Sequence, residues 1–175
     1  DRSAIVDFIL QNEGMPAGSL LPQWTPGTAY LFSTSANPVG AKALLSQIGG
    51  SHSLVLGYDS GDSFEESVAE RIAVDARAAG LALTAQPMSS SGPAGLPDAR
   101  LVRLSMPSPQ PQASLEKFLM ALVPMAGLDT VELPHDASTE QIYAAGRGVV
   151  DTYRIVPLVW FPHVFGLSTR VMDWQ

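Results

Sequence analysis

The stretch from His52 to Gln86 constrains the fold most, because it reads as strand, turn, capped helix and strand with short joints between them. In S-L-V-L-G-Y, Leu54, Leu56 and Tyr58 fall on one side of a strand and Ser53, Val55 and Gly57 on the other. The loop Asp59-Ser60-Gly61-Asp62 follows. Ser63 and Glu66 then make the S-x-x-E pattern of a capping box, in which each side chain accepts from a backbone N–H left free at the helix start. Losing such a cap costs about 1 kcal/mol. Val68, Ile72, Ala76 and Ala79 recur at helical spacing, opposite Glu66, Glu70, Arg71 and Arg77. Gly80 suits the left-handed residue that closes a helix, and Leu81 and Leu83 alternate with Ala82 and Thr84 directly after it. These joints predict a βαβ unit, with strands 53–58 and 81–86 parallel in one sheet and helix 63–79 on its face. The fold class is therefore α/β: a mixed sheet that contains the βαβ unit and is flanked by helices.

The totals exclude several classes. The chain has 175 residues, of which 46% are hydrophobic and 15% charged, so it can bury a real core and is not a disordered sequence. A formal charge of −7 and the absence of any Lys/Arg cluster argue against nucleic-acid binding and disfavour attachment to a membrane through a basic patch. With no cysteine there is no disulfide, thiolate nucleophile or Cys-ligated zinc. No run approaches the roughly 18 apolar residues of a membrane span. The chain opens at Asp1, without a methionine or signal peptide, and reads as an excised or processed piece.

The rest fits one α/β unit over 1–175 without a repeat or a clean boundary. Residues 1–36 predict a helix from Asp1 to Leu10, with Ile5, Phe8 and Ile9 on one face and Gly14 as its stop. An irregular proline-rich segment then packs on the core through its apolar residues. Residues 37–86 add, ahead of the βαβ unit, a helix with Asn37 as N-cap and Pro38 at its first position. Ala41, Leu44, Leu45 and Ile48 are its apolar residues, and Gly49-Gly50 closes it. Residues 87–175 hold the remaining strands and helices. Met88 to Pro97 is a flexible connection, Arg100 to Met106 a third strand, and Pro107 to Pro111 a loop. Leu115, Phe118, Leu119 and Leu122 mark a helix ending at Pro124. Ser138 and Gln141 form a second capping box, opening a helix through Ile142, Ala145, Val149 and Tyr153, and Ile155 to Phe161 is a last strand.

Chemistry-bearing motifs are sparse. Tyr58 to Asp62 lies at the carboxyl end of a strand and before a helix N-terminus, where α/β folds bind ligands and anions. Turn formation and capping alone would also account for Asp59 and Asp62. D-S-G-D has too few acids for a calcium loop. His52, His135 and His163 are scattered, without the spacing of a zinc site. No G-x-S-x-G is present; Ser89-Ser90-Ser91-Gly92 reads as a loop, and Gly146 and Gly148 fall inside a helix. Trp160, Phe161 and His163 form an aromatic cluster that either lines a cleft or belongs to the core.

The order of segments resembles the family 5 extracellular solute-binding proteins of ABC importers, the dipeptide and oligopeptide binders. Asp1-Arg2-Ser3-Ala4-Ile5-Val6-Asp7 is similar to the family's (D/N)R-x-x-(I/L)-(V/I)-D helix, and Pro16 to Pro22 to the turn after it. Asn37-Pro38 through Ala41-Lys42-Ala43-Leu44-Leu45 resembles its A-K-x-L-L helix. Leu54 to Tyr58 and Ala69 to Leu83 resemble its L-x-L-x-Y strand and the helix–strand that follows. Ile155-Val156-Pro157-Leu158, Gly166-Leu167-Ser168 and Val171 to Trp174 resemble its ending.

The resemblance implies one lobe of a periplasmic-binding-protein-like (type II) fold, with an N-terminal lobe missing from this stretch. It implies a non-catalytic, extracytoplasmic or periplasmic protein without a cofactor. Such a protein would take a peptide or other small solute and pass it to an ABC permease. The expected ligand contacts are Tyr58, Asp59, Ser105, Met106, Trp160, Phe161 and His163. Where the family commonly carries W-x-x-D-x-x-D-P, whose first acid can hold a peptide α-amine, this chain has Leu104-Ser105-Met106-Pro107-Ser108-Pro109-Gln110-Pro111. That departure points to ligands without an obligatory free amine. Two alternatives stand beside this reading. One is a small acidic α/β hydrolase using a serine with His135 or His163; the other is a lobe-like interaction module without transport.

Overall fold

The structure is a computed structural model and describes residues 1–50, 53–88 and 96–163. Its elements in order begin with α1 (Arg2–Ala4), a π-helical turn (Ile5–Ile9), β1 (Met15–Pro16), α2 (Pro38–Ile48) and β2 (Ser53–Asp59). They continue with α3 (Ser63–Ala78), β3 (Ala82–Met88), β4 (Ala99–Arg100), α4 (Pro111–Met125), α5 (Thr139–Val150) and β5 (Val159–Trp160).

The βαβ unit forms as the sequence predicts. β2 and β3 are parallel neighbours, in register from Ser53↔Ala82 to Asp59↔Met88, and α3 packs on both. Leu56, Tyr58 and Ala69 are buried together, with Ile72, Leu83 and Ala85 half-buried around them. Glu65, Val68, Ala69 and Ala73 carry the buried stripe of α3, so the helix leans onto the sheet through its small residues. At its end, Leu81 N–H donates to the Ala76 carbonyl (2.9 Å) and Gly80 N–H to the Arg77 carbonyl (3.0 Å), with Gly80 at φ +93°. That is the Schellman arrangement, and glycine supplies the positive φ without a Cβ clash. The sheet order is β3-β2-β4. Among the described residues β3 is therefore an edge strand, which is how it tolerates Pro87 and runs past the predicted end at Gln86.

The helix start differs from the expectation at Ser63. The N-cap is Asp62, in an extended conformation, and Ser63 is already the first helical residue. The capping box predicted at Ser138 does form, with both reciprocal hydrogen bonds to Gln141.

A second core surrounds α4 and α5. Leu115, Phe118, Leu119 and Val123 of α4 meet Ile142, Val149 and Val150 of the α5 region, and Leu20 and Leu21 from the proline-rich segment complete the cluster. The aperiodic stretch after Gly14 thus closes a hydrophobic core. β1 pairs antiparallel with β5, Met15 opposite Trp160, and Ala17 N–H donates to the Leu158 carbonyl (2.9 Å). Arg2 fastens the same region, its Nε donating to the Pro157 carbonyl at 2.9 Å.

Other boundaries move for identifiable reasons. The first helix is a short α-turn running into a π-turn, closed by positive φ at Gln11 and Asn12 ahead of Gly14. Ile5 is buried, whereas Phe8 faces solvent. The third strand keeps only Ala99–Arg100, parallel to β2. Beyond the last rung, Leu101 N–H to the Gly57 carbonyl, the chain leaves the sheet so that Leu104 and Met106 can pack on the helical core. α4 starts at Pro111, which was expected in the loop, because proline at the first helical position gives up only an unused N–H. It also continues past Pro124 to Met125. The bond that proline removes is to Met120, on the exposed face of the helix. α5 stops at Val150, so Tyr153 lies outside it with φ +58°. The last strand shrinks to Val159–Trp160. α2 forms with the expected Asn37 cap, yet none of its residues is buried. His52, Ser89 to Gly92, Gly166 to Ser168 and Val171 to Trp174 lie outside the described residues.

Candidate functional site

The carboxyl end of β2 turns through Asp59–Asp62 into α3, and its polar groups are largely used by the turn itself. Asp59 Oδ1 accepts from Gly61 N–H (2.9 Å), and Asp59 N–H donates to Glu65 Oε2 (3.0 Å). Asp62 Oδ1 accepts from Phe64 N–H (3.0 Å) and Glu65 N–H (3.2 Å), while its Oδ2 pairs with Arg103. A carboxylate suits this position, since it satisfies two orphan donors and faces the positive helix end.

Arg103 comes from the segment after β4 and lies with its guanidinium carbon 5.9 Å from the centroid of Phe64, within reach of a cation–π contact. Phe64 in turn meets Phe161, with centroids 5.0 Å apart and planes tilted by 49°. Three chain segments thus converge into a ledge of two phenyl rings and a guanidinium beside the sheet's carboxyl edge. Side-chain exposure is 49% for Arg103 against 16% for Asp62, so the cation is the accessible member of the pair.

Of the residues expected from the sequence, Phe161 is on the ledge and Asp59 shapes the turn beside it. Tyr58 is buried between sheet and helix, its hydroxyl 3.4 Å from Glu66 Oε1. Burial, and after it the negative charges of Glu66 and Glu70, raises its pKa above the usual tyrosine value. Trp160 turns to the helical core, 5.9 Å from Phe118, with its indole N–H buried and without a partner among the described residues. Met106 packs on that core, whereas Ser105 and His163 are exposed. Phe64 and Arg103 escaped the sequence reading. The one signal for Arg103 was a second cation, three residues after Arg100, in an otherwise apolar run at a strand's carboxyl end.

Among the described residues no group of three or more His, Asp or Glu side chains could hold a metal. His135 is exposed and bonded to Asp136 (3.1 Å). A small cleft lined by Leu20, Leu31, Leu115, Ile142, Tyr143 and Arg147 admits a water molecule but no solute.

Solved structures share this architecture across nearly the whole chain. The murein tripeptide binding protein MppA of Escherichia coli aligns with TM-score 0.64 and 17% identity, over 92% of this chain and 37% of its own. The fold is that of the family 5 solute-binding proteins. The ABC transporter substrate binding protein CtaP of Listeria monocytogenes gives TM-score 0.61 and 18% identity, over 92% of this chain and 38% of that one. OppA of Haemophilus influenzae, in complex with RPPGFSPFR, gives 0.61 and 14%, over 92% and 37%. This chain therefore spans little more than a third of the length of these proteins. No protein-family model matches it, and no curated protein does. No helix among the described residues is long and apolar enough to cross a membrane.

Proposed function

We propose that this chain is a solute-binding unit of an extracytoplasmic receptor for an ABC importer. The bound solute is peptide-sized, and the receptor delivers it to a membrane permease. The ledge of Phe64, Arg103 and Phe161 supports this reading most strongly. It puts two aromatic faces and an accessible cation at the carboxyl edge of a parallel sheet, the place where α/β folds take ligands. The fold shared with solute-binding proteins supports it independently. In this account a second lobe on the same polypeptide closes over the ledge, and no chemical step is required of either lobe.

One consequence is quantitative. A ledge holding half the contacts of a micromolar interaction, about −8 kcal/mol in total, binds at millimolar strength. Calorimetry of this chain with a panel of di- and tripeptides is therefore expected to show millimolar affinity at best. Micromolar heats would contradict the two-lobe account.

A further inference from the structure

We infer that the ledge selects a carboxylate, and that Arg103 is the residue that selects it. This rests on the solute-binding reading above and narrows its ligand to a small organic acid with an apolar or aromatic group. The inference starts from Asp62, which is fully engaged. One oxygen accepts two backbone N–H groups of α3, and the other meets Arg103. Its negative charge is shared among those donors and the positive end of the helix, so it offsets the guanidinium only in part. Asp62 contacts a single terminal nitrogen of Arg103, Nη2, and Nε and Nη1 have no protein partner among the described residues, so the second Nη2 hydrogen leaves one fork, with Nε or with Nη1, open. The head group is half exposed and lies against Phe64. A planar guanidinium with a free edge is a donor fork matched to the two oxygens of a carboxylate. The tilted rings of Phe64 and Phe161 offer apolar area next to that fork. An ammonium group would face the guanidinium here, and the neighbouring acids are engaged, Asp59 by the turn and Asp62 by the helix start and Arg103. From Leu104 to Pro111 the chain holds no acid that could receive one.

The test uses the whole chain, labelled with 15N, and two probes differing only in the charged group: N-acetyl-L-phenylalanine and N-acetyl-L-phenylalaninamide. The acid is expected to bind about tenfold more tightly than the amide, as a charge-assisted pair should, with shifts centred on Phe64, Arg103 and Phe161. Arg103→Gln should abolish the preference, and Arg103→Lys should keep part of it, with the helical circular dichroism of both variants unchanged. Equal affinity of the two probes, or a preference surviving in Arg103→Gln, would overturn the inference. If both probes bind equally on the ledge, the solute-binding reading stands and only its carboxylate selectivity fails. If neither probe moves the ledge while a peptide moves another surface, both fall.

Discussion

Phe118→Ala is expected to destabilise the protein by about 3–5 kcal/mol, the largest effect of any single truncation considered. Phe118 is 2% exposed and sits in the cluster that joins α4, α5 and the Leu20–Leu21 segment. Its ring also packs on Trp160, with centroids 5.9 Å apart, which ties β5 to the helical core. Removing the ring combines lost transfer energy, a cavity bounded by rigid helices and a lost aromatic pair. Urea unfolding reads the result directly as a lower midpoint at unchanged slope. A cost below about 1 kcal/mol would mean that the site collapses freely, and that the second core is not the packed unit described above.

Asp62→Ala is expected to cost about 1–2 kcal/mol, and Ser63→Ala next to nothing. The aspartate satisfies two backbone donors at the start of α3, and removing it leaves Phe64 N–H and Glu65 N–H without that acceptor. Its pair with the exposed guanidinium of Arg103 adds little to stability, because solvent screens it. The same substitution loosens Arg103 over Phe64, so solute affinity should fall together with stability. Paired urea melts check the first part. A larger loss for Ser63→Ala than for Asp62→Ala would return the cap to the serine.

The βαβ unit was legible because its signals are local and mutually consistent. Alternation in 53–58, an apolar stripe along the helix and Gly80 at its end all specify the same geometry. The cap was misplaced by one residue because Asp62 and Ser63 are both competent caps, and only the backbone shows which of them is still extended. The capping box at Ser138 and Gln141 had no such competitor. Strand lengths were less legible. Arg100 to Met106 alternates like a strand, but Leu104 and Met106 gain more by packing on α4 and α5 than by continuing a ladder along β2. Trp160 shows the same limit, since an aromatic beside a strand end fits a cleft or a core equally well until Phe118 is seen against it. The ledge itself was hardly legible. Phe64, Arg103 and Phe161 come from three distant segments and carry no shared pattern, so only the fold brings them together.

The account's central claim is that solute is held at the carboxyl edge of the parallel sheet, on Phe64, Arg103 and Phe161. Amide and aromatic chemical-shift mapping with an N-acetylated dipeptide, titrated into the 15N-labelled chain to millimolar concentration, tests this most directly. The expected result is a saturable set of shifts confined to Asp59–Phe64, Leu101–Met106 and Trp160–His163. Shifts clustering instead on α2 or on the outer faces of α4 and α5, with Phe64, Arg103 and Phe161 unmoved, would contradict it.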